Sequence, residues 1–315
     1  KKHVLMTGPT GTGKTVNIIR HMQSGLPEKY VPITMGFSAQ TSANQTQDLI
    51  DSKCEKRRKG VFGPPVGKEF VIFVDDVNMP QKEIYGAQPP IEILRQWFDD
   101  RGWYDRKALE IRKIVDVIFV IACGPPGGGR NQVTARFYRH FNTINYTDMS
   151  DESLKLVFST ILRNFLIPFD DDVQKHTEGM VKATVDIYSV ILDFLRPTPT
   201  KPHYVFNMRD ISKVFQGLLM IDKRRVTTGV GLGRVWVHEI NRVFGDRFIS
   251  TEDQVWLRDT IQEKMEKFTD LRHEEMFTEK PEIIMSDFMI IGADQRVYEE
   301  VSNMTELQNI VEEYL

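Results

Sequence analysis

Up to about residue 147, short apolar runs rich in β-branched residues alternate with segments whose apolar positions recur every three to four residues. Five runs read as strands, at residues 4–7, 33–38, 70–74, 117–122 and 141–146. The first four are too uniformly apolar to leave one face in water, which predicts a parallel sheet covered by helices. Helices are expected between them at residues 14–23, 43–59 and 89–98.

After Thr147 the strand pattern stops. Ser150 or Asp151 can cap a helix with Leu154, Val157, Phe158, Ile161, Leu162 and Phe165 on one face. A second stripe, Met180, Ala183, Ile187, Val190, Ile191 and Phe194, must end at the prolines that follow residue 196. The third helix has the clearest start: Asn207 as N-cap, Asp210 three residues on, then Ile211, Val214, Phe215, Leu218 and Leu219. A fourth helical pattern covers residues 235–248. The expectation is an α/β domain over residues 1–149, a small all-helical domain over 150–250 and a helix-containing tail over 251–315.

A chain of 315 residues with 41% hydrophobic content suits two packed units better than one. The net charge of −3 supplies no general cationic field for nucleic acid or an anionic membrane, and no apolar run is long enough for a membrane helix. Neither is expected as a partner. Cys54 and Cys123 lack metal-ligand or CxxC spacing, and the seven histidines show none either, so a reducing, cytoplasmic setting fits. The basic run Lys53, Lys56, Arg57, Arg58 and Lys59 before Gly60 reads as the cationic C-terminal end of the second helix.

The segment GPTGTGKT, residues 8–15, fits G-x-x-x-x-G-K-[ST] and lies between an apolar strand and a helix. Gly8, Pro9, Thr10, Gly11, Thr12 and Gly13 would form the cradle, the glycines letting the backbone curl so that its N–H groups point at phosphate oxygens, at the positive end of the following helix. Lys14 would reach the β- and γ-phosphates and Thr15 would hold magnesium. VIFVDD, residues 71–76, supplies the other half. In such sheets ligands bind beyond the strand ends, so Asp75 would complete the metal site with Thr15, and Asp76 is the candidate base or water-positioning group. The implied ligands are ATP or ADP with Mg²⁺.

Beyond the phosphate loop, GFSAQTSANQTQ from Gly36, KGVFGPP from Lys59, FVDDVNMP from Phe73, YGAQPPIEILRQW from Tyr85 and ACGPPGGGRN from Ala122 resemble the third AAA+ module of axonemal dynein heavy chains. WVHEINRVFGDR from Trp236 and the VEEYL end extend the likeness over nearly the whole chain. The resemblance implies a P-loop AAA+ fold: a five-stranded sheet of order 5-1-4-3-2 with helices on both faces, followed by a helical lid. It also implies neighbouring AAA+ modules in one ring, microtubules and dynein intermediate and light chains as partners of the parent protein, and a place in the cytoskeleton of the cilium or flagellum.

Carried over by position, ACGPPGGGR resembles the sensor I loop, with Gly124 where many relatives have Asn, Asn131 seven residues on, and a flexible run at Gly127, Gly128 and Gly129. Arg136 and Arg139 in TARFYRHF resemble the arginine-finger region; Arg136, directly before Phe137, is favoured to act in trans on the preceding module's nucleotide. Arg209 in NMRD matches sensor II. Asp76 stands where typical AAA+ ATPases have Glu, one methylene shorter, and a displacement of about 1 Å can cost on the order of 10²-fold in rate. Together with Gly124, this predicts a site that binds nucleotide well and hydrolyses it slowly.

Overall fold

The computed structural model describes residues 2–277, 283–289, 296–301 and 303–314. Leu315, the last residue of the VEEYL end, lies outside them. The chain divides into two compact units, Lys1–Asp148 and Met149–Leu315.

In the first unit, β1 (His3–Thr7), α1 (Lys14–Ser24), β2 (Tyr30–Gly36), α2 (Ala43–Lys53), β3 (Glu55–Arg58), β4 (Val61–Gly63) and β5 (Glu69–Asp75) come first. Then follow α3 (Pro89–Asp100), β6 (Gly102–Tyr104), β7 (Ile111–Ile114), β8 (Val117–Cys123), α4 (Ala135–Tyr138) and β9 (Phe141–Asn145). The main sheet runs β2-β5-β8-β1-β9 with every pairing parallel, the 5-1-4-3-2 order in terms of its own five strands. Alternation along β5 explains why it reads as continuously apolar: Phe70, Ile72 and Val74 pack with Ile91, Leu94 and Trp97 of α3, while Val71 and Phe73 pack with Ile18 and Met22 of α1. Each such fully buried side chain contributes about 1.5–3 kcal/mol relative to exposure.

The helix expected over residues 43–59 ends at Lys53, and the basic run is not its C-terminal end. Only Lys53 lies in the last turn; Lys56, Arg57 and Arg58 belong to β3, which pairs antiparallel with β4. β6 and β7 form a second antiparallel pair, and β4 joins β7 in parallel to give a four-stranded sheet of order β3-β4-β7-β6. Arg57 is tied down by the Pro64 carbonyl at 2.7 Å and by Asp116 at 3.1 Å.

The second unit contains α5 (Asp151–Leu166), α6 (Asp171–Gln174), α7 (Thr177–Phe194), α8 (Met208–Leu218), α9 (Gly229–Val243) and a 3-10 turn at Gly245–Arg247. They are followed by α10 (Thr251–Phe268), α11 (His273–Met276), the short antiparallel pair β10 (Met285–Ser286) and β11 (Glu299–Glu300), and α12 (Met304–Tyr314). Leu257, Ile261 and Met265 of α10 share one core with α7, α8 and α9. Trp236 of α9 is buried and donates its indole N–H to the Thr184 hydroxyl of α7 at 2.8 Å. The helix expected from residue 235 begins at Gly229, capped by Thr228. Its glycines imitate a loop in sequence, but a Cβ at Gly233 would lie 2.5 Å from the Met276 sulfur, so the absent side chain permits close packing.

Candidate nucleotide-binding site

The GPTGTGKT motif lies at the C-terminal end of the parallel sheet, with residues 8–13 in the loop between β1 and α1 and Lys14 and Thr15 in the first turn of α1. Gly8 has φ 146°, and a Cβ there would stand 2.3 Å from the Tyr146 carbonyl oxygen, so the residue that follows β9 by one step closes the back of the loop. Gly11 and Gly13 also have positive φ, 86° and 80°.

Lys14 is 9% exposed. Its ammonium donates to the Gly8 carbonyl at 2.8 Å, the Pro9 carbonyl at 2.6 Å and the Thr12 hydroxyl at 3.2 Å, and Thr12 in turn donates to the Pro9 carbonyl at 3.0 Å. All these acceptors are neutral. Burial, and next the neighbouring Arg130 charge, hold the Lys14 pKa below the usual lysine value. A buried cation with neutral partners beside a second cation is a place where a polyanion is favoured, so this loop fits a polyphosphate.

The Thr15 hydroxyl donates to the Asp75 carboxylate at 2.8 Å, which brings both expected metal-binding oxygens into one shell. Among the described residues no group of three or more His, Cys, Asp or Glu side chains could hold a metal. One hydroxyl and one carboxylate nevertheless suit magnesium, which completes its octahedron with waters and substrate phosphates. The other Asp75 oxygen accepts the Asp76 N–H at 3.0 Å.

Asp76 stands in the left-handed region at φ 49°, a conformation Asp tolerates better than most residues. Its carboxylate is paired with Arg130 at 3.2 Å. Sequence reasoning missed Arg130, although it directly follows the three glycines of the loop after β8. Gly127, Gly128 and Gly129 all take positive φ, and Gly127 bridges back to Arg130. The guanidinium also donates to Thr10 of the phosphate loop at 2.8 Å. It lies against Gly124, where a Cβ would come within 2.8 Å of Nε, 2.9 Å of Cδ and 3.0 Å of Cζ. The Arg130 Nε is buried and has no hydrogen-bond partner among the described residues.

Asn131 turns away to donate to the Pro80 carbonyl at 2.9 Å, while the buried Asn78 donates to the Gly124 carbonyl at 2.8 Å. Arg136 lies exposed in the first turn of α4 and makes no ion pair among the described residues, whereas Arg139 is paired with Asp99 at 2.8 Å. In the second unit, Arg209 is exposed in the first turn of α8, with its backbone N–H on the Asn207 side chain at 2.9 Å. The adjacent Asp210 pairs instead with Arg247 at 3.2 Å and Lys213 at 3.5 Å.

The family model for the P-loop containing dynein motor region matches residues 1–149, and that for the AAA+ lid domain matches residues 180–278. Human dynein axonemal heavy chain 1 is 47% identical over 328 aligned residues, covering 100% of this chain. Rat dynein axonemal heavy chain 12 and human dynein axonemal heavy chain 6 are each 43% identical, again over 100% of the chain. The chain spans only 8% of the first and third of these relatives and 11% of the second.

Proposed function

The chain belongs to the axonemal dynein heavy chains as one of their ATP- or ADP-binding AAA+ modules, and from that premise we propose that it is the third module of the ring, a regulatory nucleotide site with slow hydrolysis. The observation that carries the nucleotide reading is the Thr15–Asp75 contact at 2.8 Å beside the buried Lys14. The residues from Gly8 to Thr15 hold the phosphates, Thr15 and Asp75 orient the metal, and Arg209 keeps the sensor II role that the family resemblance implies. Magnesium, when bound, lends positive charge to the β- and γ-phosphate oxygens. Arg136, exposed and without an ion pair among the described residues, serves the site of the preceding module in trans. Through the parent polypeptide the module works in a microtubule motor of the ciliary axoneme, with intermediate and light chains as further partners.

The regulatory reading rests on two features. Asp76 is one methylene short for its position, and position 124 offers no side chain to a water. Nucleotide exchange then changes the balance between two arrangements only by its difference in affinity for them. Replacing Lys14 by Ala should weaken ADP and ATP binding by about 100-fold, as loss of a buried charge-assisted contact predicts. Equilibrium titration of the purified chain with a fluorescent nucleotide measures this, and unchanged affinity would remove the nucleotide reading. An Asp76→Asn change should leave single-turnover hydrolysis within a few-fold of its already slow rate. A fully active ATPase, which the retained carboxylate favours, instead requires a loss of about 10²-fold or more.

A further inference from the structure

We propose that Arg130 senses the terminal phosphate: its guanidinium pairs with the last phosphate of a bound triphosphate and, in doing so, gives up Asp76. The proposal rests on the nucleotide reading above and assigns a discriminating role within that site.

Four observations place the side chain there. Arg130 reaches the phosphate loop itself through the Thr10 hydroxyl at 2.8 Å, so it borders the region that the loop encloses. Gly124 makes room for it, because any side chain at 124 would collide with Nε, Cδ and Cζ. The space that a side chain at 124 would fill is thus occupied by the Arg130 guanidinium. Its Nε is buried without an acceptor among the described residues, so the planar fork has a donor to spare. Among the described residues, Asp76 is its sole carboxylate partner, and that pair is partly open to solvent, with side-chain exposures of 20% and 41%. A phosphate carrying two negative oxygens offers the fork a bidentate partner that a single carboxylate oxygen does not.

A triphosphate therefore competes with Asp76 for the same guanidinium, whereas a diphosphate leaves the pair intact. The site distinguishes ATP from ADP through Arg130, and the state of Asp76 follows the nucleotide. If Arg130 were only a strut for the glycine loop, its removal would loosen the loop equally for both nucleotides.

The test is a pair of equilibrium titrations of the purified chain in magnesium, with fluorescent ADP and with a β,γ-imido ATP analogue that is not hydrolysed. Arg130→Gln should lose about 10- to 100-fold in affinity for the analogue and less than about 3-fold for ADP, the span expected for one charge-assisted contact. Arg130→Lys, which keeps the charge without the fork, should recover part of the loss. Gly124→Asn, which displaces the guanidinium, should reproduce the selective defect. Equal losses for both ligands, or none for the analogue, overturn the proposal. A lowered melting temperature of the nucleotide-free variant alongside equal losses identifies the strut. A wild-type chain that binds neither ligand, like Lys14→Ala, would instead bring down the underlying nucleotide reading and the proposal with it.

Discussion

Gly8 and Gly13 occupy the same loop with positive φ, yet different physics holds each in place. A Cβ at Gly13 would find its nearest neighbour at 3.6 Å, so Gly13→Ala meets only backbone strain, about 1–2 kcal/mol. A Cβ at Gly8 would meet the Tyr146 backbone at 2.3 Å, and that oxygen cannot rotate away. Gly8→Ala should therefore lower the melting temperature of the nucleotide-free chain clearly more than Gly13→Ala; equal shifts would mean that the Tyr146 contact does not matter. The motif residues were legible because a local strand–turn–helix pattern sets them, and Asp75 because it ends a uniformly apolar strand, although its partner Thr15 lies 60 residues away. Arg130 was not, because its meaning depends on Thr10, which lies 120 residues away in sequence.

Helix α8 shows how much a short signal can specify. Its N-terminus is closed by a capping box, with the Asn207 side chain receiving the turn's N–H groups and Asp210 accepting the Asn207 N–H at 3.0 Å. Asn207→Ala should cost about 1 kcal/mol in chemical denaturation, the usual value of an N-cap. Asp210→Ala should cost more, since Arg247 and Lys213 also lose their partner. That start was readable from Asn207 and Asp210 alone; before α5 the sequence left Ser150 and Asp151 as alternative caps, and Ser150 takes the place. The strand β3 was not readable. Glu55, Lys56, Arg57 and Arg58 offer no apolar alternation, and they extend only because β4 is there to pair with them. Tertiary pairing decides such polar segments, and helical periodicity upstream misleads.

At the level of the whole chain, acid should weaken both units in the same direction. His3 in the first unit is 7% exposed, and burial, with Arg101 next, lowers its pKa from 6.5 to about 4. Its Nδ1 accepts the Phe119 N–H at 3.0 Å, which requires the neutral ring. His176 and His238 in the second unit are also lowered, burial being the leading cause in each. A depressed histidine leaves the unfolded chain with the greater proton affinity, so its contribution is intact above pH 6.5 and shrinks as pH falls toward 4. For His3 this amounts to up to about 3 kcal/mol. Below about pH 4, Asp99, Asp105, Asp172 and Asp253, whose pKa values are depressed, lose their share in turn. Denaturant midpoints at pH 7, 5.5 and 4.5 should decline in that order; a midpoint that rises on acidification would show that the histidines are not held neutral.

The four-stranded sheet ties together two hairpins separated in sequence by β5 and α3. Its seam is the parallel pairing of Val61 with Lys113 and of Phe62 with Ile114. Each hairpin shields one flank of the other's backbone, so neither is a self-sufficient decoration. A chimaera that imports one from a relative with a different counterpart would expose open N–H and C=O groups along β4 or β7, an invitation to aggregate. The two stretches should therefore be transplanted together, as a single cassette.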